Sequence, residues 1–236
     1  MHSEKIVLRN MIKIKSGLLK KYLVFILGLY FLSAGIVLIV HSNLGTTPIS
    51  SVNYVLSLNT PFTLGTWTFI INMVLILGQF WLIRGMGGKK DVVEILLQIP
   101  FSFIFSFFID LNMSLASRLN PTGYAISLAV LLTGCLIQSI GVVLELKPKV
   151  AMMSAEAFVK YAAQRYDKEF GKFKVGFDIT LVTSAVLISL ILTNRIEGVR
   201  EGSIIAASIT GFIVSFLNNK IITRNNLRRA KRIVGR

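Results

Sequence analysis

The sequence predicts an all-α integral membrane protein with six transmembrane helices in a 3+3 inverted repeat, and a short half-helix between the first two spans of each half. Three observations predict this fold class. Of the 236 residues, 53% are hydrophobic and only 16% are charged, whereas soluble domains carry about 25% charged residues. The apolar residues form blocks of membrane-spanning length. Finally, the two halves of the chain resemble each other at a fixed offset.

The apolar blocks hold 17–22 residues each, close to the ~20 that a hydrocarbon core about 30 Å thick requires. They predict spans at 22–41, 65–83, 92–110, 123–144, 174–193 and 203–219. Between Tyr22 and Ile83 the chain has no Asp, Glu, Lys or Arg. The single cysteine, Cys135, lies inside an apolar block, which excludes a disulfide framework and a cysteine-based zinc site.

The distribution of the net charge of +15 predicts an orientation in the membrane, not a nucleic-acid partner. Three of the 26 Lys and Arg residues lie in connections on one predicted side: Arg118, Arg195 and Arg200. The other 23 lie in segments on the opposite side, namely 1–21, 84–91, 145–174 and 220–236. By the positive-inside rule both termini are cytoplasmic, and anionic lipid headgroups are the expected partners of the basic segments.

The internal repeat has an offset of 106 residues. Residues 35–38 (GIVL) match residues 141–144 (GVVL), and Asn72 matches Asp178. Because each half holds an odd number of spans, the second half must lie upside down relative to the first. Many secondary transporters share this plan and bind their solute near the midplane between the repeats. A duplicated bundle with no path through it remains the alternative.

This repeat divides the chain into four predicted parts. They are a basic cytoplasmic N-terminus at 1–21, a first three-span repeat at 22–118, a second inverted repeat at 119–219 and a basic cytoplasmic tail at 220–236.

The connection at 42–64 carries no charged side chain and predicts a short helix with defined ends. Thr47 suits the N-cap, Pro48 suits the first helical position, and Asn59 precedes a Thr-Pro stop signal. Such a helix rises only ~15 Å, about half a bilayer. Two placements stay open: a re-entrant segment whose positive end faces a cavity, or a helix lying flat on the outer surface.

The corresponding segment of the second half, 150–164, is more amphipathic. Small and apolar residues share one side, whereas Glu156, Lys160 and Arg165 share the other. This pattern predicts a helix lying in the cytoplasmic interface of the membrane.

The predicted solute site joins the start of the first short helix to polar residues within the spans, where such residues are costly and usually face the bundle interior. Lys174, one turn from Asp178, offers that carboxylate a simple structural partner. The predicted substrate-binding residues are Gly45, Thr46, Thr47, Pro48, Ser50, Asn53, Asn72 and Asp178. Gating or purely structural roles are predicted for Gln98, Gln138, Arg200, Glu201 and Gly202.

The leading functional hypothesis is a secondary transporter or solute-binding membrane protein for an unknown small solute. A non-transporting accessory or scaffold subunit is the alternative, and a lipid-active enzyme is a weaker one. The sequence has no G-x-S-x-G, H-E-x-x-H or phosphate-loop motif. We therefore expect no enzyme activity, no metal, no cofactor and no nucleic-acid partner, and the oligomeric state stays open.

Several stretches resemble the YczE/YitT-like family of bacterial multi-pass membrane proteins. They are SNLGTTPISSVNYVLS at 42–57, GTWTFIINMVLIL at 65–77 and GVREGSIIAASITGFI at 198–213. The Arg200-Glu201-Gly202 motif is the most specific part. The sequence departs from the family pattern at Ser154, where the family usually has proline. The resemblance implies a multi-pass protein of the bacterial cell membrane and does not imply a substrate.

Overall fold

The computed structural model describes the backbone of residues 2–234 and the side chains of residues 17–217, and within these bounds it is all-helical. The helices are α1 (His2–His41), α2 (Pro48–Asn59), α3 (Leu64–Leu82), α4 (Lys89–Leu115), α5 (Tyr124–Leu146), α6 (Ser154–Arg165), α7 (Phe170–Thr193) and α8 (Glu201–Val234).

Five helices are long and apolar enough to cross a membrane: α1 over Gly17–His41, α3, α4, α5 and α7. The described apolar part of α8, Glu201–Leu217, is shorter. The predicted helical membrane fold is therefore confirmed in its coarse form, with five clear candidate spans where the sequence predicted six.

Some helices extend beyond the predicted spans. The N-terminal segment is not separate from the first span, because α1 runs without a break from His2 to His41. Helix α4 begins at Lys89 because the Asp91 carboxylate accepts a hydrogen bond of 2.8 Å from the Gly88 backbone N–H and so caps the helix. It then continues through Pro100 to Leu115.

Helices α1 and α5 cross at the centre of the structure, where glycines let the two backbones meet. A Cβ atom on Gly28 would lie 2.6 Å from the backbone nitrogen of Glu145, closer than real Cβ contacts allow. The glycine contacts of the crossing are Gly28 with Glu145, Gly141 with Leu32, Gly35 with Gln138 and Gly134 with Ile39. Residue numbers rise along α1 as they fall along α5, so the two helices are antiparallel.

The remaining helix contacts follow a regular pattern. Helix α1 packs on α4 and α5 packs on α8. The short helix α2 packs on α3 and α7, and the short helix α6 packs on α7 and α3. Each contact therefore has a counterpart when α1–α4 are exchanged for α5–α8. The exceptions are α3 with α4 and the smaller contact of α4 with α6, for which α7 with α8 and α8 with α2 show no equivalent of that extent among the described residues.

Helix α6 differs from its prediction as a surface helix, because its Ala-rich side packs closely between α3 and α7. It also begins later than predicted, at Ser154. Its two basic side chains contact protein groups: Lys160 Nζ lies 3.6 Å from the carboxylate of Glu94. Arg165 donates hydrogen bonds of 2.9 Å to the carbonyls of Leu82 and Arg84 at the end of α3. Protein contacts thus replace the water and headgroups that an interfacial helix would use.

Candidate functional site

A cavity of about 320 Å³ lies between the two halves, and every helix contributes to its lining. The first turns of both short helices line it, residues 47–50 from α2 and 153–156 from α6. These two stretches are 106 residues apart, so they are equivalent positions of the repeat. Most of the remaining wall is apolar, with Phe105 and Leu181 among its larger side chains. The volume lies within the range of small-molecule sites.

The start of α2 presents its positive end to this cavity. Thr47 has the extended backbone of an N-cap residue and Pro48 is the first helical residue, as the sequence predicted. The Thr47 hydroxyl is hydrogen-bonded to the hydroxyl of Ser50 and does not cap a backbone N–H. Since the first turn contains no acidic residue, the helix dipole favours a negatively polarised group of a ligand at this point.

Gly45 and Thr46 support the α2 start from behind and do not line the cavity. The Thr46 backbone N–H donates a hydrogen bond of 3.0 Å to the Ser203 hydroxyl on α8. Gly45 has φ +128, and a Cβ atom there would overlap the same hydroxyl. Glycine is therefore required at this position for both backbone conformation and space.

One turn of α3 joins the two short helices. The Asn53 side-chain amide on α2 donates to the Thr68 hydroxyl at 3.2 Å, and the Ser154 hydroxyl on α6 donates to Asn72 Oδ1 at 2.7 Å. Asn53 Oδ1, Asn72 Nδ2 and Gln138 Oε1 remain buried without a protein partner, and all three residues line the cavity. An unpartnered buried polar atom costs about 1–3 kcal/mol, so this set indicates a site that a ligand or water completes.

The second half supplies the ionisable wall of the cavity. Lys174 and Asp178 form an ion pair one turn apart on α7. Glu145 at the end of α5 is buried, and Glu156 in the first turn of α6 is half-buried. Neither glutamate forms an ion pair within residues 17–217. Burial is the main cause of a raised pKa at Glu156; Lys174 lowers that pKa, whereas Asp178 raises it further.

The structure brings most of the predicted binding residues to one place. Thr47, Pro48, Ser50, Asn53, Asn72 and Asp178 all line the cavity, together with Gln138 from the predicted gating set. Gln98 lies elsewhere, in a reciprocal amide pair with Gln79 whose hydrogen bonds measure 2.8 and 2.9 Å.

The Arg200-Glu201-Gly202 motif also lies outside the cavity lining, where it fixes the loop before α2. Arg200 donates to the Asn43 carbonyl at 3.0 Å, and the Gly202 backbone N–H donates to the Leu44 carbonyl at 2.8 Å. Glu201 lies 3.8 Å from the Arg200 guanidinium. These contacts hold two backbone segments together, which fits the structural one of the two roles predicted for this motif.

Sequence reasoning missed Glu145, Glu156 and Thr68 as cavity residues and treated Lys174 only as a structural partner. The repeat offset of 106 contained part of the missing signal, since Ser50 corresponds to Glu156 and Thr68 to Lys174. Applying the offset to each predicted first-half residue would have found Glu156 but not Lys174, because Thr68 itself was not among the predicted residues. Glu145 corresponds to an apolar residue and had no such signal.

A family model matches most of the chain. The model of DUF6198, described as a family of unknown function, matches residues 19–219. Neither a curated protein nor a solved structure matches the chain. The resemblance to the YczE/YitT-like proteins therefore rests on the quoted motifs alone. Because the match covers most of the chain, the protein belongs to DUF6198, a family whose function is unknown.

Proposed function

We propose that the protein is a 3+3 inverted-repeat transporter of the bacterial cell membrane, which binds a small solute in the cavity between its halves. Both termini are cytoplasmic in this proposal, in keeping with the positive-inside distribution of the basic residues. The apolar part of α8 provides the sixth span.

The antiparallel crossing of α1 and α5 supports the inverted repeat. Replacing each residue by its equivalent 106 positions away turns the contact of Gly28 with Glu145 into the contact of Gly134 with Ile39, which the structure also contains. Likewise, Gly35 with Gln138 becomes Gly141 with Leu32. A two-fold relation between the halves accounts for these exchanges, and antiparallel equivalent helices require its axis to lie in the membrane plane.

The observation that carries the binding proposal is the meeting of two helix starts and three unpartnered amide atoms in one cavity. A dry bundle without a ligand would gain nothing from burying Asn53, Asn72 and Gln138 with open hydrogen-bonding positions. Discontinuous helices whose ends meet at the repeat interface are the typical binding sites of inverted-repeat transporters.

An accessory or scaffold role is the second candidate, favoured by the exposed apolar surface of α7 and α8. Ile191 and Phe212 are 79% and 75% exposed, respectively. Another membrane protein could cover this surface, although lipid would cover it equally well. The two candidates differ in whether a solute binds in the cavity.

A thermal-shift screen of the purified full chain against small solutes tests the proposal. Solutes that stabilise the wild type are then measured on Asn72→Leu, which removes the free Nδ2 donor at similar size. We expect at least about tenfold weaker binding to this variant, because a buried hydrogen bond is lost. Each binding solute is finally tested for flux into liposomes that contain the protein.

The matched control is Thr133→Val, on an exposed face of α5, where the hydroxyl bonds only to the Ala129 carbonyl. It should bind every solute as the wild type does. The transporter proposal fails if no solute stabilises the protein, or if Asn72→Leu and Thr133→Val bind alike. If a solute binds but no flux is measured, the protein is a solute-binding membrane protein and the transport part of the proposal is wrong.

A further inference from the structure

The cavity holds more negative than positive side chains, and all of them come from the second half. Three carboxyl groups line it, those of Glu145, Glu156 and Asp178, and Lys174 is the one lining residue with a positive side chain. The Lys174 ammonium donates a hydrogen bond to the Asp178 carboxylate and forms an ion pair with it. Glu145 and Glu156 are therefore left facing the same cavity with no cation of their own among the described residues.

Unpartnered acceptor oxygens extend this wall. Gln138 Oε1 is buried without a donor, two turns from Glu145 on the same helix, with Val142 between them in the lining. Across the cavity, Asn53 Oδ1 on α2 also lacks a donor. Asn53 and Gln138 are 3% and 9% exposed, respectively. These two open acceptors and the two glutamates thus call for a ligand group that donates hydrogen bonds and carries positive charge, whereas the open Asn72 Nδ2 donor calls for an acceptor atom on the same ligand.

The donor set favours an organic ligand over a bound metal ion. Within residues 17–217, no group of three or more His, Cys, Asp or Glu side chains is placed to hold a metal ion. The rest of the lining is apolar, with Leu32, Ile36 and Phe105 among its side chains. An apolar wall needs an apolar ligand surface, which a hydrated inorganic cation lacks.

We propose that the cavity takes an amphipathic organic cation, in which an apolar body carries an ammonium group, and that Glu145 and Glu156 receive the ammonium. The proposal rests on the proposed function of the cavity as a solute site and specifies its substrate class. The positive start of α2 lies on the other half's wall and can bind a carbonyl or hydroxyl oxygen of the same ligand.

Three probes of similar size and different charge test this substrate class on the purified full chain: benzylammonium, benzyl alcohol and benzoate. We expect benzylammonium to bind at least about tenfold more tightly than benzyl alcohol, and benzoate to bind most weakly. Glu145→Gln and Glu156→Gln should each remove most of the preference for the ammonium. Benzyl alcohol should bind these variants within about twofold of the wild type, which also shows that they are folded.

A further variant should strengthen benzylammonium binding instead of weakening it, a result that a merely structural role of the residue would not produce. Lys174→Gln removes the cation that neutralises Asp178, so benzylammonium should bind about threefold or more tightly to it than to the wild type. The control is Glu169→Gln, because Glu169 is exposed and is paired with Lys172 at 3.1 Å outside the cavity lining. It should leave all three affinities unchanged.

The inference is overturned if benzoate binds as tightly as benzylammonium, or if the two glutamate variants keep the ammonium preference. In both cases a probe still binds, so the proposed function stands and only the substrate class is lost. If none of the three probes binds, the inference also fails, and the wider solute screen then decides the proposed function separately.

Discussion

At the residue scale, glycines determine how closely the two halves meet. Gly141 faces the backbone of Leu32 so closely that a Cβ atom would overlap it. Gly176, on the exposed side of α7, has no atom from outside its own helical turns within 4 Å of the place where its Cβ atom would lie. Both positions are helical, so alanine should be favoured at each by about 0.5–1 kcal/mol on intrinsic propensity alone. The difference in packing therefore decides which of the two alanine substitutions destabilises the protein.

We therefore expect Gly141→Ala to lower the melting temperature by a few degrees, because overpacking a tight contact costs about 1–3 kcal/mol. Gly176→Ala should leave the melting temperature unchanged or raise it slightly. Thermal unfolding of both purified variants beside the wild type measures the difference. Equal melting temperatures for the two variants would contradict the close crossing of α1 and α5.

Glu156 predicts a pH dependence of cation binding. Burial is the main cause of the raised pKa of Glu156; Lys174 lowers this pKa, and Asp178 raises it further. Glu145 on α5 also interacts with the Glu156 carboxyl group. Protons and an ammonium compete for the carboxylate, so benzylammonium binding is full above the pKa of Glu156 and is lost as the pH falls through it. This loss should begin at a higher pH than for an exposed glutamate.

Titrating benzylammonium affinity against pH tests this prediction, with benzyl alcohol as the uncharged reference. The alcohol should show no comparable loss. Glu156→Gln should flatten the benzylammonium profile, since the titrating group is gone. An unchanged profile in this variant would show that another group governs the pH dependence.

At the element scale, the two short helices show what local sequence can and cannot predict. The ends of α2 were predictable because Thr47 and Pro48, in successive positions, are a strong start signal and Asn59 is a strong stop signal. The start of α6 was not, because its cap residue, Met153, has no hydrogen-bonding side chain. The burial of α6 depends on α3 and α7, which are distant in sequence, and its amphipathic pattern fits a surface equally well.

The cavity residues also divide into those that local sequence predicts and those that it does not. Asn72 and Asp178 were predictable because a polar side chain inside an apolar block is costly wherever it lies. The helical pattern alone did not single out Glu156, since this residue shares a helix face with Lys160 and Arg165; only its repeat position opposite Ser50 separated it from them. Glu145 sits at the end of a span, where a glutamate usually meets water, and its burial results from the crossing with α1 at Gly28.

The direction of α2 predicts opposite effects for a charge at its two ends. Thr47→Asp keeps an N-cap side chain at the positive end, so the melting temperature should change little. It also places a carboxylate at the cavity wall, so an oxygen-bearing ligand group should bind there at least about tenfold more weakly. Ser57→Asp adds charge at the negative end and should lower stability by about 0.3–1 kcal/mol.

Thermal unfolding and solute binding, measured on both α2 variants, separate these effects. Ser57 lies outside the cavity lining, so its variant should keep the wild-type solute affinity wherever it is folded. Similar losses of stability and affinity in the two variants would argue against a helix whose start faces the solute.

At the scale of the whole molecule, the two halves keep equivalent positions and divide the chemistry between them. The cavity residues Ser50, Thr68 and Asn72 of the first half are neutral. Their equivalents at the offset of 106 are Glu156, Lys174 and Asp178, which are all ionisable. A solute between the halves therefore meets a neutral hydrogen-bonding wall on one side and a charged wall on the other. In the proposed complex, this asymmetry gives the solute one orientation.

In the proposed transporter, equivalent segments of the two halves face opposite sides of the membrane around one cavity. Phe62 follows α2, Lys168 follows α6, and the two exposed residues are 106 positions apart. Single-cysteine variants Phe62→Cys and Lys168→Cys, each combined with Cys135→Ala, are treated in intact cells with a membrane-impermeant thiol reagent. We predict that Phe62→Cys is labelled from outside, and that Lys168→Cys is labelled only after the membrane is permeabilised. Labelling of both variants from the same side would contradict the inverted repeat and the site built on it.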